Sequence, residues 1–323
     1  LIDRNQLVSE HGADWLQALT DVRVFELQLA EMHKAGSTVL GAVHLGIGQE
    51  AVAVGVAGQL ISGDQITVSH RGHGPMLARG LDPVRMYAEI LGRATGYCGG
   101  KGGSMHIACP EKGVAGANGI VGGGIPMALG IAKAAQELGT GTVGVPIFGD
   151  GAANTGSLAE TMNLAAVWRA PVIFVCENNG YGQFTAMEDV TGGPGIFTRG
   201  EGYGVPGVLV DGEDVVAVHV AMAAALERAR AGEGPSLLEC RTTRWHGHHE
   251  GDERYAGAYR EAPSREGDPI ERLARELDQL GLDGSGQHES AEASSRERLK
   301  AALDAALEAP EPAPETALTG VFV

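Results

Sequence analysis

VGVPIFGDGAANTGSLAETMNLAAVWRAPVIFVCENN, residues 143–179, decides how this chain is read. Residues 143–148 form an apolar run of strand length that stops at Gly149-Asp150-Gly151. Residues 171–176 form a second run that stops at Asn178-Asn179-Gly180, and 154–168 between them reads as a helix. Two wholly apolar strands joined by a helix indicate a parallel sheet covered on both faces. A right-handed crossover then brings both carboxyl ends to one edge. Neighbouring strands lie about 5 Å apart, so Asp150 and Asn179 can reach one ion where open α/β sheets place their ligands. A carboxylate, an amide oxygen and a backbone carbonyl are hard donors, suited to Mg²⁺ or Ca²⁺ and not to zinc. The helix opening at 151–154 leaves free N–H groups for an anion. Alone, Asp150 is an ordinary helix cap and 178–180 an ordinary turn. Together they read as a pyrophosphate site.

Outward from that unit, 13–34 carries Leu16, Leu19, Val22, Phe25, Leu29 and Met32 at helical spacing. Further helices are expected at 49–60, 83–95, 125–138, 213–231 and 293–308, and one from Asp268-Pro269, with Asp as cap and Pro in the first turn. Residues 66–74 read as a short strand running into a glycine-rich loop, and 237–244 as a third buried strand. Glycine density makes 96–126 a loop, and polarity makes 246–267 an exposed one. No repeat of 20–50 residues is present. The expected organisation is an N-terminal helical extension (1–40), a binding domain (41–272) and C-terminal helices with a tail (273–323).

The 323 residues are 43% hydrophobic and 20% charged, which excludes disorder throughout. The formal charge of −17 argues against nucleic acid or an anionic membrane as the main partner. Bound phosphate must therefore be held by local geometry or a metal. No apolar run reaches the roughly 18 residues of a membrane span, and the opening residues carry charge without an apolar signal core. Cys98, Cys109, Cys176 and Cys240 form no CxxC pair and suggest a reducing compartment. A cytoplasmic location is expected. The 50 glycines suggest tight turns around a ligand. Other motifs fail: in 98–103 Lys101 is followed by Gly102 and not by Ser or Thr, and no GxGxxG follows a strand.

GDGAAN (149–154) with NN (178–179) resembles the thiamine diphosphate motif. HLGIGQEAVAVG (44–55), HRGHG (70–74), GKGGSMH (100–106), GIVGGGIPMALGIA (119–132), IFVCENNGYG (173–182), VDGEDVVAV (210–218), RAGEGPSLLEC (230–240) and GHHEGD (247–252) extend the resemblance over roughly 13–272. Together they resemble the alpha subunit of the decarboxylating component of 2-oxo acid dehydrogenase complexes, the pyruvate and acetoin dehydrogenase alpha-subunit family. The resemblance implies an α/β, three-layer thiamine diphosphate-binding fold, mostly parallel sheet with helices on both faces. It also implies Mg²⁺ held by Asp150, Asn179 and the Tyr181 carbonyl, and a diphosphate held by Gly149, Gly151, Ala152 and Arg71, with His70 on the same side. Gly119 and Val121 would meet the aminopyrimidine through backbone groups. His248 would sit over the cofactor as the candidate for proton transfer to the acyl acceptor, with His73 and His106 lining the approach.

The implied reaction cleaves the C–C bond beside a carbonyl and transfers a two-carbon acyl unit to a lipoyl-bearing acyltransferase or carrier. In this family the carboxylate that faces the pyrimidine comes from a beta subunit, so an α₂β₂ heterotetramer is expected. His70, where many pyruvate and branched-chain enzymes have Tyr, and His249, where regulated members carry a Ser, resemble acetoin enzymes. Ser157-Leu158-Ala159-Glu160, Gly124 and the 183–186 segment depart from the usual pattern. A histidine-rich pocket also suits the hydroxyls of a ketose phosphate, and a non-catalytic scaffold is a further alternative. His246, His248 and His249 with Glu250 and Asp252 are rich in metal ligands, but the spacing is not a usual zinc pattern. His11 and His44 are expected to be surface or packing residues.

Overall fold

The computed structural model describes residues 3–36, 39, 41–252 and 259–319. Eight strands occur among them: β1 (Gln65–Val68), β2 (Val114–Ala117), β3 (Gly144–Gly149), β4 (Ile173–Asn178), β5 (Tyr181–Gly182), β6 (Thr185–Ala186), β7 (Gly207–Asp211) and β8 (Ser236–Arg241). Six of them form one sheet in the order β2-β1-β3-β4-β8-β7, and β5-β6 is a separate two-stranded hairpin. Every pair in the larger sheet is parallel. The fold is α/β with helices on both faces of a parallel sheet.

Alternation along the strands explains the two faces. Val145, Ile147, Ile173, Val175, Leu238 and Cys240 join one core cluster with Phe25, Leu29, Val218 and Met222. Phe148, Val172, Phe174, Cys176 and Leu237 turn the other way, onto Ile125, Leu129, Leu158 and Met162. Both sides of each central strand are dry, which is why these segments read as continuous apolar runs. Phe174 is 0% exposed at the centre of the second cluster. Phe174→Ala should cost about 3–5 kcal/mol of unfolding free energy, measurable as a lowered denaturation midpoint.

The structure departs from the sequence reading in several places. The N-terminal helix is Arg4–Lys34, starting nine residues early because the Asp3 carboxylate accepts from the Asn5 and Gln6 N–H groups. The 96–126 segment holds β2 and two 3₁₀ turns, Gly103–Met105 and Pro110–Lys112. The helix expected at 154–168 is Gly156–Trp168, and a separate short helix, Asp150–Ala153, precedes it. β7 is an additional edge strand. The 83–95 helix ends at Ile90, and the last long helix begins at Gly284. Residues 246–252 are mostly buried or half-buried and not an open loop, and 253–258 lie outside the described residues.

The N-terminal helix is tied to the C-terminal ones. Arg4 pairs with Glu276 at 2.6 Å and Asp214 at 2.8 Å. Gln17 Nε2 donates to Ser295 Oγ at 2.9 Å, and Ser295 Oγ donates to Asp21 at 2.5 Å. Phe25 and Leu29 also enter the central core, where Leu299 and Ala302 join them.

Candidate active site

The chain leaves β1 for β2 on one side and then crosses to β3 on the other. The β1/β3 boundary is therefore the topological switch point, where an open parallel sheet leaves a crevice at its carboxyl edge. A cavity of about 380 Å³ lies there, lined by the ends of β1, β3 and β4 and by the 118–122 and 181–183 loops. Register levels the strand ends: Gly149 sits opposite Glu177, so Asp150 and Asn179 leave adjacent strands side by side.

Asp150 begins the short helix Asp150–Ala153 and is 2% exposed. Burial pushes its carboxyl up to about 6, against stabilising bonds from its own N–H and that of Asn179 and the attraction of Arg244 and Arg71. Asn179 is oriented by a relay. Its Nδ2 donates to Gln49 Oε1 at 3.0 Å, and the Gln49 side chain bonds Glu177. The Asn179 Oδ1 is thereby set on the opposite side, where it accepts from the Tyr181 N–H at 3.2 Å. Supporting bonds of this kind hold ligand groups in place before an ion arrives. Gly151 permits the hairpin to close on this turn, since a Cβ there would come within 3.0 Å of the Gly182 Cα. Gly122, at φ +77°, would collide with the Thr155 and Ser157 hydroxyls if it carried a side chain.

Two guanidinium groups face the acids. Arg71 donates to the Leu45 carbonyl at 2.8 Å and to the His248 carbonyl at 2.6 Å. Arg244, 1% exposed, donates to the His246 carbonyl and to the Tyr259 hydroxyl, each at 3.1 Å. Neither makes an ion pair with a carboxylate among the described residues. Burial lowers both, Arg71 to about 9, and each is lowered further by a neighbouring guanidinium. Two buried cations without a carboxylate partner suit an anion between them.

His44, His70 and His248 form the remaining wall, with ring centroids 4.5–5.5 Å apart. Burial, then the Arg71 charge, pushes them down to about 3, 2 and 4. All three are neutral at neutral pH. Their nearest ligand atoms lie within 4.8 Å of one another, as in a metal site. His248 Nδ1 is nevertheless 3.1 Å from Arg71 Nη2, a donor. A metal on Nε2 would require a proton on Nδ1, directed at a cation.

Gly119, Val121, Gly149, Gly151, Ala152, Tyr181, His70, Arg71 and His248 all line the cavity with Asp150 and Asn179. His73 does not. It is fully buried in the helix His73–Ala78, Nδ1 3.3 Å from Glu26 and Nε2 2.9 Å from Ser104. Its place is behind the wall, against the expectation that it lines the approach. His106 is exposed and stands against Gly119 outside the lining. His44 is buried rather than at the surface, and it both packs against the neighbouring histidine rings and lines the cavity, whereas His11 is exposed. His246 and His249 are held locally by Glu250, at 2.8 and 2.7 Å. Gln49, Glu177 and Arg244 had no assigned role. A charged residue ending the apolar run 173–177 was the available signal for Glu177; nothing in 241–244 marks Arg244.

Residues 19–315 match the family model of the dehydrogenase E1 component. The chain belongs to the dehydrogenase E1 component family. Among its relatives, the alpha subunit of acetoin:2,6-dichlorophenolindophenol oxidoreductase from Bacillus subtilis (strain 168) is 52% identical over 76% of this chain and 74% of its own length. The subunit of the same name from Cupriavidus necator is 50% identical, over 75% and 71%. The pyruvate dehydrogenase E1 component subunit alpha of Zymomonas mobilis is 38% identical over 94% and 84%. No helix of this E1-family chain is long and apolar enough, among the described residues, to cross a membrane.

The raised Asp150 carboxyl has a consequence for the ligand-free chain. Below about pH 3.8 both folded and unfolded states hold the proton; between 3.8 and 6 only the folded state keeps it. The folded state binds more protons there, so stability falls as pH rises through this window and levels off above it. Asp150→Asn should remove that slope and stabilise the ligand-free chain at pH 7.5 by about 2–3 kcal/mol, read from urea midpoints at two pH values.

Proposed function

We propose that this chain is the diphosphate-holding alpha subunit of a thiamine diphosphate enzyme that cleaves the C–C bond beside the carbonyl of acetoin or pyruvate. The two-carbon acyl unit passes to a lipoyl group on an acyltransferase or carrier protein. The observation that carries this reading is the juxtaposition of buried Asp150 and half-buried Asn179 with Arg71 and Arg244, two cations that lack a carboxylate partner among the described residues, in one cavity at the sheet's switch point. Asp150, Asn179 and the Tyr181 carbonyl would hold Mg²⁺. Gly149, Gly151 and Ala152, with Arg71 and Arg244, would take the diphosphate. Gly119 and Val121 would receive the aminopyrimidine. When bound, thiamine diphosphate supplies the electron sink for the carbanion left by bond cleavage. His44, His70 and His248 would bind the oxygens of the donor without adding charge.

Ile120 and Val121, 73% and 59% exposed beside the cavity, are apolar groups that a beta subunit would cover. An α₂β₂ assembly in the cytoplasm follows as part of the proposal. Acetoin is favoured over pyruvate because the relatives at 52% and 50% identity are named for acetoin.

The test is reconstitution with the beta subunit, thiamine diphosphate and Mg²⁺. Acetoin, pyruvate and a ketose phosphate are offered separately, with dichlorophenolindophenol reduction and the mass of a lipoylated carrier as readouts. An acetyl adduct from acetoin or pyruvate is expected. A hydroxyacetyl adduct from the ketose alone would replace the donor and leave the cofactor assignment standing. No turnover with any donor, despite bound cofactor, would favour a scaffold.

A further inference from the structure

We propose that Arg71 fixes His248 in the tautomer that carries its proton on Nε2, so that His248 is a permanent hydrogen-bond donor to the cavity and Arg71 is its positioning residue. The catalytic meaning of this inference rests on the function proposed above; the tautomer itself does not.

The argument is one of donor and acceptor capacity. Arg71 Nη2 lies 2.6 Å from the His248 carbonyl and 3.1 Å from His248 Nδ1. A guanidinium has five N–H donors and no acceptor. Nδ1 must therefore accept through its lone pair, and in a neutral imidazole the proton then resides on Nε2. Neither partner is free to rearrange. Arg71 is anchored a third time, on the Leu45 carbonyl at 2.8 Å. The His248 N–H donates to Asp252 Oδ2 at 3.3 Å, which holds the backbone under the ring. The rings of His44, His70, His249 and Phe184 pack around the imidazole with centroids 5.0–6.2 Å away. His248 lines the cavity, and its Nε2 has no protein partner among the described residues.

The charged and titratable groups facing His248 are Arg71, Arg244, His249, Asp252, His44 and His70. Asp252 is the one carboxylate among them and is set against two guanidinium groups. Ionisation of the ring would place a third cation beside that pair. His248 is thus a neutral N–H that stabilises an oxygen as it gains negative charge, and it keeps its proton throughout. This narrows the proton-transfer role expected from the sequence: Nδ1 is committed and unavailable as a base. It also separates His248 from metal binding, which needs the opposite tautomer when Nε2 is the ligand atom.

The test is a long-range ¹H–¹⁵N correlation spectrum of the full chain labelled with ¹⁵N-histidine, with the His248 signals identified by their loss in His248→Gln. The expected pattern is an unprotonated Nδ1 and a protonated Nε2, unchanged from about pH 5.5 to 8.5. In Arg71→Met both tautomers should populate, and the ring should titrate closer to the ordinary value of about 6.5. Arg71→Lys, which keeps a donor without an acceptor, should restore the Nε2–H form. A protonated or averaged Nδ1 in the parent chain, a titration within that range, or a stoichiometric Zn²⁺-induced shift of the His248 signals would each overturn the proposal. The parent-chain spectrum decides even if Arg71→Met fails to fold. No cofactor, donor or beta subunit enters the measurement, so its failure is distinguishable from failure of the proposed reaction.

Discussion

Replacing Asp150 with Ala is expected to abolish Mg²⁺-dependent binding of thiamine diphosphate while leaving the chain folded. Mg²⁺ gives up water reluctantly and is usually anchored by carboxylate. Without Asp150 the proposed ligands are the Asn179 amide and the Tyr181 carbonyl, both uncharged. The dication would then approach Arg71 and Arg244 with no ligating anion until the diphosphate arrives. Affinity should fall by well over the roughly 10–100-fold typical of losing an outer hydrogen-bond partner. Calorimetric titration of the cofactor with and without Mg²⁺ reads this directly, and binding retained within about tenfold would remove Asp150 from the metal site. Folding is not the confounding factor, because losing a buried carboxylate relieves desolvation in the ligand-free chain.

His248→Ala should show the complementary pattern. Cofactor affinity should change little, because no proposed diphosphate or Mg²⁺ ligand is removed. Transfer of the acyl unit to the lipoyl carrier should slow by about 10²–10³, the usual cost of one donor aimed at a developing negative charge. The measurement is kcat for lipoyl acylation in the reconstituted assembly at saturating cofactor. Unchanged kcat would make His248 a wall residue only. A large loss of cofactor affinity would instead indicate that the ring supports the Arg71 anchor, since Arg71 is bound to the His248 carbonyl as well as to its ring.

Strands β3 and β4 were legible because burial on both faces keeps them apolar up to Gly149 and Glu177. β2 was not: its sequence, VAGA, is short, and Gly116 at φ +154° interrupts any β-branched run. β7 was hidden for a different reason. It is an edge strand whose Val208 and Leu209 are 45% and 42% exposed, so its apolar residues do not record a buried environment. In the site, Asp150 and Asn179 could be found from strand ends alone, because crossover geometry fixes where such ends meet. The histidines could not be sorted this way. HRGHG places His70 and His73 only three residues apart, yet one lines the cavity and the other is fully buried against Glu26, 47 residues upstream. Arg244 was equally illegible: its role depends on β8 lying beside β4, a neighbour relation that no local pattern encodes.

The bonds from Gln17 to Ser295 and from Arg4 to Glu276 also set a schedule. The residues they join are separated by 278 and 272 positions. At about 5–20 residues per second, ribosomal synthesis leaves the helix Arg4–Lys34 waiting on the order of 15–55 s for its C-terminal partners. During that interval Phe25 can stack on Tyr87, and Leu16 and Leu19 can join Ala51 and Val54, whereas Leu273, Leu277 and Leu299 of the same cores are still to be made. The N-terminal helix can therefore dock in two stages, against the segments that follow it early in synthesis and against the C-terminal helices only near its end.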